Sequence, residues 1–237
     1  MVCCLNTIDL NNFITQEKAR LNAENNQDMV KILGGEKYYP NNSKILWNLN
    51  FGVEKGQIFC LLGPNHSGKS LVFDILNRRT FLDSGNIFVK GKEVSKKHPS
   101  TAITGACLQS DSHWGTLTVK QNLMVVAAIQ GMSNQEVDEA VEQIMHALDL
   151  HRHSSKQARH LSAGTQRKLN VAMALIGGPE LLLLDTPTTG VDPVGRNQIW
   201  TLLKKLVKVK KSTILLSTHY TEDAELVADK LGKGLFE

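Results

Sequence analysis

One eight-residue segment constrains this 237-residue chain more than any other. Residues 63–70 read Gly-Pro-Asn-His-Ser-Gly-Lys-Ser, the complete G-x-x-x-x-G-K-[ST] pattern of a phosphate-binding loop. An apolar run, residues 58–62, precedes the segment, and a second apolar stretch, residues 71–76, follows it. Strand, loop and helix in this order are the context in which the pattern binds phosphate, which a glycine-rich turn matching by accident would not need. The sequence therefore predicts a site for a nucleoside triphosphate.

Each residue type in this loop predicts a contact with phosphate or metal. Gly63 and Gly68 allow the backbone to turn tightly, so that successive N–H groups point into one concavity. A helix beginning near Lys69 adds the positive end of its dipole. Lys69 is expected to reach the β- and γ-phosphates, and the Ser70 hydroxyl to bind Mg²⁺. The predicted phosphate-binding residues are Gly63, Pro64, Asn65, His66, Ser67, Gly68, Lys69 and Ser70.

A run of four leucines that ends in Asp185 is a second candidate for the same site. Residues 181–184 predict a strand buried on both faces of a sheet, and Asp185 stands at its carboxyl end. In a phosphate-loop protein, an acid at this place holds Mg²⁺ directly or through water. Alone, the run would predict only a core strand. Together with residues 63–70 it predicts a metal ligand.

Composition and charge restrict the remaining possibilities. Hydrophobic residues make up 41% and charged residues 21% of the chain, which is ordinary for a globular protein. A membrane span needs roughly 18 consecutive apolar residues, and no such stretch occurs. The net charge of +4 is too small to favour nucleic acid as a partner. The basic run at residues 204–211 best fits the solvated face of a helix, the alternative being a contact with phosphate or anionic lipid.

The four cysteines favour a reducing, cytosolic setting. Cys60 and Cys107 lie in apolar runs, and the sequence has neither a metal-ligand spacing nor a disulfide framework. Cys3 and Cys4 are adjacent, and ordinary thiols are favoured over lipidation there.

The order of predicted elements favours an α/β fold with a mostly parallel sheet. Residues 1–28 are polar and rich in asparagine, which predicts a tail or linker. Residues 29–237 are predicted to form one nucleotide-binding domain of the phosphate-loop NTPase type. We expect it to contain an N-terminal antiparallel β region and a helical subdomain at about residues 92–170. Capping boxes that begin at Thr118 and Ser133 predict two helix starts in that subdomain.

Residues 161–169, Leu-Ser-Ala-Gly-Thr-Gln-Arg-Lys-Leu, resemble the LSGGQ signature of ATP-binding cassette (ABC) proteins. Other features fit the same family in order and spacing. Gln109 resembles its Q-loop glutamine, residues 190–192 resemble its D-loop, and His219 resembles its switch histidine. The resemblance covers about residues 29–230.

Two short segments, residues 51–56 and 166–169, are most similar to the A subfamily, whose members are large lipid transporters. Residues 217–220 are more similar to the first of their two nucleotide-binding domains. The resemblance implies that the chain binds ATP with Mg²⁺ at the cytoplasmic face of a membrane. Its implied partners are a membrane-spanning transporter domain and a second nucleotide-binding domain, in the same or another chain.

The resemblance also implies roles for individual residues. The catalytic positions are His219, Gln109 and the degenerate base position Thr186, and the Mg²⁺ ligands are Ser70, Gln109 and Asp185. Ser162 and the Gly164 N–H precede a predicted helix and would form a second anion-binding terminus, for ATP held by the partner domain. Asp192 would contact nucleotide from the D-loop, and with Pro193 it also predicts a helix start. For the signature segment, the plain alternative is a helix N-cap followed by a small residue.

Tyr39 resembles the aromatic residue that stacks on adenine in this family, and Tyr38 is the second choice. For either tyrosine, packing within a strand is an equal alternative.

Thr186 follows Asp185 where the family usually has a glutamate that orients or deprotonates the attacking water. A hydroxyl cannot accept a proton as a carboxylate does, and loss of a general base typically costs about 10²–10⁴-fold in rate. We therefore expect ATP binding to survive better than turnover. Ala163, Thr165 and Leu108 also depart from the family pattern, and Ala163 would be unfavourable if its φ were positive.

The expected function is that of an Mg·ATP-binding cassette that pairs with a second cassette to power transport, with lipid as the expected cargo. The alternative is a structural ABC subunit that binds nucleotide without useful turnover. A third possibility, an ABC protein acting on nucleic acid or ribosomes, would need a more basic surface and a tandem second cassette. Residues 231–237 end the chain before the final strands usual in the family, so we expect a fragment, a splice product or a truncated form.

Overall fold

The computed structural model describes residues 19–21, 28–38, 44–64, 67–94 and 104–232. The strands are β1 (Val30–Tyr38), β2 (Lys44–Val53), β3 (Ile58–Leu62), β4 (Ser84–Val89), β5 (Lys92–Glu93), β6 (Thr104–Cys107), β7 (Leu181–Asp185), β8 (Thr213–Thr218) and β9 (Lys230–Gly232). The helices are α1 (Lys69–Leu76), α2 (Val119–Ile129), α3 (Asn134–Ala147), α4 (Ala163–Leu175), α5 (Pro193–Lys210) and α6 (Thr221–Val227). Two 3₁₀ turns, His151–His153 and Ala158–His160, precede α4.

The strands form two sheets, one antiparallel and one parallel. The antiparallel sheet has the order β2-β1-β4-β5, and the parallel sheet has the order β6-β7-β8-β3-β9. In the parallel sheet Leu62 stands beside Thr218 and Asp185 beside Ser217. The carboxyl ends of β3, β7 and β8 therefore meet at one edge, where ligands bind in folds of this type. The predicted α/β fold with a parallel core and an N-terminal antiparallel region is confirmed.

The parallel sheet is buried on both faces because side chains of each strand alternate between two apolar clusters. Ile58, Cys60 and Leu62 of β3 join one cluster, with the helices that follow β6. Phe59 and Leu61 join the other, between the two sheets. Strands covered on both sides read as continuous apolar runs, which explains the four leucines of β7.

Cys60 and Cys107 are buried among these apolar residues, as their sequence context predicts. Burial raises the pKa of Cys60 to about 12, and the charge of Asp223 adds to this effect. Burial likewise raises the pKa of Cys107 to about 11, against the opposing effect of Arg167. Both thiols therefore stay protonated at neutral pH and act as small core residues.

The helices of the predicted subdomain begin where their capping boxes indicate. Before α2, the Thr118 hydroxyl accepts from the backbone N–H of Gln121, and the Gln121 side chain accepts from the backbone N–H of Thr118. Before α3, Ser133 and Glu136 form the same pair of hydrogen bonds. Within the range predicted as helical, about residues 92–170, the first described elements are instead the short strands β5 and β6. In the described part of the chain, no helix has the length and apolar character needed to cross a membrane.

Candidate functional site

The phosphate-loop segment connects β3 to α1 at the shared sheet edge. Gly68 has φ +92°, a left-handed conformation that favours glycine, and it caps α1. A Cβ at Gly63 would lie 3.1 Å from the Ser67 hydroxyl, so this glycine lets the loop close on itself. Asn65 and His66 lie outside the described residues.

Lys69 lies over its own loop. Only 4% of this residue is exposed, and its Nζ donates to the carbonyl oxygens of Gly63 at 2.8 Å and Pro64 at 2.6 Å. The Ser67 hydroxyl is a third neighbour at 3.3 Å. Burial lowers the pKa of Lys69, and the charge of Asp185 works against that shift. The sequence thus places its cation at the centre of a tight loop and within electrostatic reach of a buried acid.

Asp185 ends β7 with 2% exposure, and a neighbouring serine orients its carboxylate. Ser217 lies opposite Asp185 in β8, and its hydroxyl donates to Oδ1 of the aspartate. The same hydroxyl accepts from the backbone N–H of Thr186 at 3.0 Å. Because the serine satisfies one carboxylate oxygen, the aspartate is held in a fixed direction.

One cleft of about 370 Å³ brings the predicted metal ligands together. Its lining residues are Ser70, Asp74, Arg79, Leu108, Gln109, Ser110 and Asp185. Hydroxyl, amide and carboxylate oxygens are the donors that Mg²⁺ takes in nucleotide sites, usually with phosphate and water completing its shell. The described residues contain no group of three or more His, Cys, Asp or Glu suited to a metal by themselves. The donor set therefore fits a cation that arrives with phosphate oxygens.

Sequence reasoning did not identify Asp74 and Arg79 as neighbours of this cleft. Burial raises the pKa of Asp74; Arg79, 3.8 Å away, opposes the shift, and Asp185 adds to it. Asp74 stands one helical turn after Ser70 on α1, so the i, i+4 spacing was a usable signal for it.

His219 follows β8 and reaches the start of the phosphate loop. Its Nδ1 lies 3.4 Å from the carbonyl oxygen of Gly63, and the side chain is exposed. Although 156 residues separate the two positions, the pairing of β3 with β8 places them side by side.

Thr186 is held in a strained backbone conformation directly after Asp185. Its φ is +47°, which is unfavourable for a β-branched residue, and only 9% of it is exposed. Arg167 donates to its carbonyl oxygen at 3.1 Å, while Ser217 accepts from its N–H. The surrounding structure fixes both peptide groups that flank this residue.

The signature segment forms the N-terminus of α4. Ser162 is the N-cap, and its hydroxyl accepts from the N–H of Thr165 at 3.3 Å. Ala163 is the first helical residue and is not among the residues with positive φ, so the condition for strain at this position is not met. A Cβ at Gly164 would lie 2.6 Å from the carbonyl oxygen of Gly190, so the helix start packs directly on the D-loop-like segment.

The phosphate loop, the β7 acid, His219 and the signature helix thus occur in one fold with the expected order. A family model described as ABC transporter matches residues 46–189. The chain belongs to the ABC transporter family. Both the family and the similarity to its A subfamily were expected from the sequence and are confirmed.

Curated relatives of this ABC chain include members of sub-family A. The cholesterol transporter ABCA5 of Rattus norvegicus is 38% identical over 185 residues, which is 77% of this chain and 11% of the relative. The ATP-binding cassette sub-family A member 6 of Homo sapiens is 35% identical over 210 residues, covering 86% and 13% respectively. The chain therefore spans only about a tenth of the length of these relatives.

Solved ABC cassettes share the fold. The dimeric structure of the bacterial cassette MJ0796 has a TM-score of 0.78 at 22% identity, covering 86% of this chain and 93% of that one. Its post-hydrolysis state bound to ADP and Pi has a TM-score of 0.77 at 23% identity, covering 86% and 97%.

Two further predicted contacts of an ABC cassette concern Asp192 and the tyrosines. Asp192 is the N-cap of α5, as predicted, and its Oδ1 accepts from the N–H of Gly195 at 2.9 Å, which lowers its pKa. Tyr39 lies outside the described residues. The Tyr38 hydroxyl donates to the Glu36 carboxylate at 2.9 Å, so this tyrosine takes part in contacts along β1.

Asp223 is a structural link that sequence reasoning missed. It is buried on α6 and accepts from the Thr188 hydroxyl and from the indole N–H of Trp200, each at 3.3 Å. Arg196 lies 3.8 Å from the same carboxylate. The segment after β7 is thereby tied to α5 and to the helix that follows His219.

Proposed function

We propose that this ABC chain binds Mg·ATP in the cleft beside residues 63–70 and serves as a nucleotide-binding cassette of a transporter. The observation that supports this most strongly is the meeting of Lys69, Ser70, Asp185 and His219 at one edge of the parallel sheet. These groups lie at or after the carboxyl ends of three separate strands, β3, β7 and β8, and offer a cation, two oxygen ligands and an imidazole to one Mg²⁺-bound polyphosphate.

Each residue has a defined role in the proposed complex. Lys69 leaves the carbonyl oxygens of its own loop and donates to the β- and γ-phosphates, a charge-assisted bond that is stronger than the neutral ones it replaces. Ser70, Gln109 and Asp185 hold Mg²⁺, which when bound offsets charge on the phosphate oxygens. His219 donates to the γ-phosphate from its position beside Gly63.

The proposed unit of function is a pair of cassettes. Ser162 and Gly164 stand at the N-terminus of the 13-residue helix α4, where free N–H groups and the helix dipole favour an anion. In the proposed complex, residues 63–70 enclose this chain's own phosphates, so the α4 terminus would serve ATP on a second cassette, with Asp192 next to it. The dimeric form of the MJ0796 cassette supports such a pairing.

A membrane-spanning transporter domain completes the proposed assembly, which places the cassette at the cytoplasmic face of a membrane. Lipid is the proposed cargo, since a relative at 38% identity is named a cholesterol transporter. In the proposed mechanism, ATP-driven pairing of the cassettes moves the membrane domain.

Hydrolysis at this chain's own site is proposed to be weak. Thr186 occupies the place after Asp185 and offers no carboxylate to the attacking water, which costs about 3–5 kcal/mol in barrier for a rate loss of 10²–10⁴-fold. The same residue favours a second candidate function, in which the chain binds ATP as a structural subunit without useful turnover. Turnover in an assembled transporter separates the two.

Calorimetry with Mg·ATP tests the binding site directly. Wild type should bind, and Lys69→Ala should weaken binding by about tenfold or more, because it removes the main cation facing the phosphates. Lys120→Ala is the matched control, since Lys120 lies on the exposed surface of α2 beside Glu142 and should leave affinity unchanged. Equal affinity of wild type and Lys69→Ala would contradict the site.

A further inference from the structure

We propose that Arg167 is a positioning residue that fixes the backbone at the ends of β6 and β7, and thereby sets Gln109 and residue 186 around the phosphates. The inference rests on the proposed function. It concerns a residue that lies behind the site and does not touch the nucleotide itself.

The Arg167 guanidinium joins two neighbouring strand ends. It is carried by α4, and only 6% of the residue is exposed. Its Nη1 donates to the carbonyl oxygen of Leu108 at 2.7 Å. Its Nη2 donates to the carbonyl oxygens of Asp185 and of Thr186. One planar group thus holds the chain just after β6 and just after β7, the two places from which Gln109 and Thr186 emerge.

The electrostatics of this residue favour a positioning role over simple packing. Among the described residues Arg167 forms no ion pair, and its Nε has no hydrogen-bond partner. A buried cation whose partners are neutral carbonyl groups is costly, and an apolar side chain would fill the same space with less penalty. What the guanidinium supplies is a rigid fork of donors that fits several carbonyl oxygens at once.

The first consequence concerns Thr186. Its left-handed backbone, φ +47°, persists only because neighbouring groups hold it. Ser217 holds its N–H and Arg167 holds its carbonyl oxygen. That carbonyl oxygen also accepts from the N–H of Thr189 at 3.2 Å, so the arginine is linked to the turn beyond. Without Arg167, residue 186 is free to relax to negative φ, which redirects its side chain.

The second consequence concerns Gln109. The carbonyl of Leu108 and the N–H of Gln109 belong to the same planar peptide group, so the bond from Arg167 to Leu108 fixes the plane from which the glutamine side chain departs. Gln109 and Asp185 line the same cleft, and both are held from behind by this one side chain.

Arg167 makes no hydrogen bond to the described residues of the phosphate loop, whose carbonyl oxygens are contacted by Lys69 and His219 instead. Loss of the arginine should therefore impair turnover far more than Mg·ATP affinity. A purely structural residue would instead reduce both through loss of folded protein.

The test compares the full chain with Arg167→Met, Arg167→Lys and Lys168→Met. Methionine removes the charge and the donors at similar length, and lysine keeps the charge without the fork. Lys168 is the matched control because it is a buried cation on the same helix, but it donates to Gln198 on α5 at 3.2 Å. Calorimetry on the chain gives the Kd for Mg·ATP. Single-turnover assays on the chain assembled with a second cassette, whose own site is disabled, give the hydrolysis rate.

We expect Arg167→Met to lower the hydrolysis rate by about tenfold or more, because small displacements of reacting groups carry large rate penalties. The Kd of Arg167→Met for Mg·ATP should change by less than about threefold. Arg167→Lys should have a hydrolysis rate between those of wild type and Arg167→Met. In Lys168→Met, the ratio of hydrolysis rate to Mg·ATP affinity should equal that of wild type. If Thr186→Glu raises the hydrolysis rate, the double variant with Arg167→Met should lose that gain. The two changes would then be non-additive, because both residues act on the same backbone segment.

Amide hydrogen exchange decides the same point without turnover. In Arg167→Met the amides of residues 109, 186 and 189 should exchange faster than in wild type, and in Lys168→Met they should not. Unchanged exchange at these amides, or a hydrolysis rate in Arg167→Met equal to wild type, would overturn the inference. So would a rise in Kd and a loss of folded fraction that run parallel to the fall in hydrolysis rate. Failure of wild type to bind Mg·ATP would refute the proposed function, while exchange would still decide on Arg167.

Discussion

Ser217 stands opposite Asp185 in the parallel sheet, and its hydroxyl donates a hydrogen bond to the aspartate carboxylate. The hydroxyl oxygen of Ser217 also accepts from the backbone N–H of Thr186 at 3.0 Å. A single buried side chain therefore serves the metal-ligand candidate and the backbone of the base position.

We expect Ser217→Ala to lower the free energy of unfolding by about 1–3 kcal/mol, because it leaves a buried acceptor and a buried donor unpaired. It should also weaken Mg·ATP binding, since the Asp185 carboxylate loses its fixed direction. Urea unfolding and calorimetry measure the two effects. Ser212→Ala is the control: Ser212 is equally buried and donates to the Pro179 carbonyl oxygen at 2.9 Å, at the opposite end of β8. It should lose stability and keep affinity, and a Ser217→Ala protein that behaves the same way would contradict the orienting role.

Gly164→Ala should destabilise the folded chain. An added Cβ would lie 2.6 Å from the Gly190 carbonyl oxygen, which is backbone and cannot turn aside. Overpacking costs about 1–3 kcal/mol, against about 1 kcal/mol gained from replacing glycine within a helix, so we expect a net loss. Gly115→Ala, whose nearest neighbour would be 3.4 Å away, should be close to neutral in the same urea titration. Equal stability of the two variants would show that the D-loop-like segment moves easily relative to α4.

Ser162→Arg should separate binding from pairing. Because Ser162 caps α4 and is proposed to face ATP on a second cassette, a bulky cation there should leave Mg·ATP binding by the isolated chain intact. ATP-dependent association with a second cassette should be lost, as seen by analytical ultracentrifugation with and without ATP. If the isolated chain instead loses its ATP affinity, the signature segment does not act on a partner's nucleotide.

Local sequence signals predicted the parts of the site that local geometry determines. The phosphate loop, the leucine run before Asp185 and the caps at Thr118, Ser133 and Asp192 each depend on residues within a few positions of one another. Such features are encoded by spacing, so one sequence is enough to find them.

Features made by distant residues gave no such signal. Arg167 meets Leu108 across 59 positions and Asp185 across 18, and Asp223 meets Thr188 across 35. Strand β6, which lies within the range predicted as a helical subdomain, gave no sequence signal for a related reason. Strand β6 has four residues, one of which is Gly105. A Cβ at Gly105 would lie 2.0 Å from the carbonyl oxygen of Ala174 on α4, so the absence of a side chain here allows the helix to pack against the strand. A strand that short, with glycine inside it, carries no clear alternation.

The last prediction concerns Thr186 itself. With the phosphate loop, Asp185 and His219 in place but no carboxylate beside the water, the site should hold ATP longer than it cleaves it. Thr186→Glu restores a general base and should raise the single-turnover hydrolysis rate by up to about 10²-fold. The assay uses the chain assembled with a second cassette whose own site is disabled.

Thr186→Gln is the matched control. Glutamine has the same length as glutamate and would stand in the same left-handed backbone conformation at residue 186, but its amide cannot accept a proton as a carboxylate does. It should leave the rate near that of wild type, and the gain in Thr186→Glu should disappear as the pH falls through the carboxylate pKa, ordinarily about 4.3. Ala163 and Thr165 belong to the signature segment proposed to face the partner's nucleotide, so they do not mask a gain measured here. Brisk hydrolysis by wild type that is unchanged in Thr186→Glu would mean that another group already activates the water. The attenuation attributed to Thr186 would then be wrong, while the binding site formed by Lys69, Ser70 and Asp185 would stand on its own test.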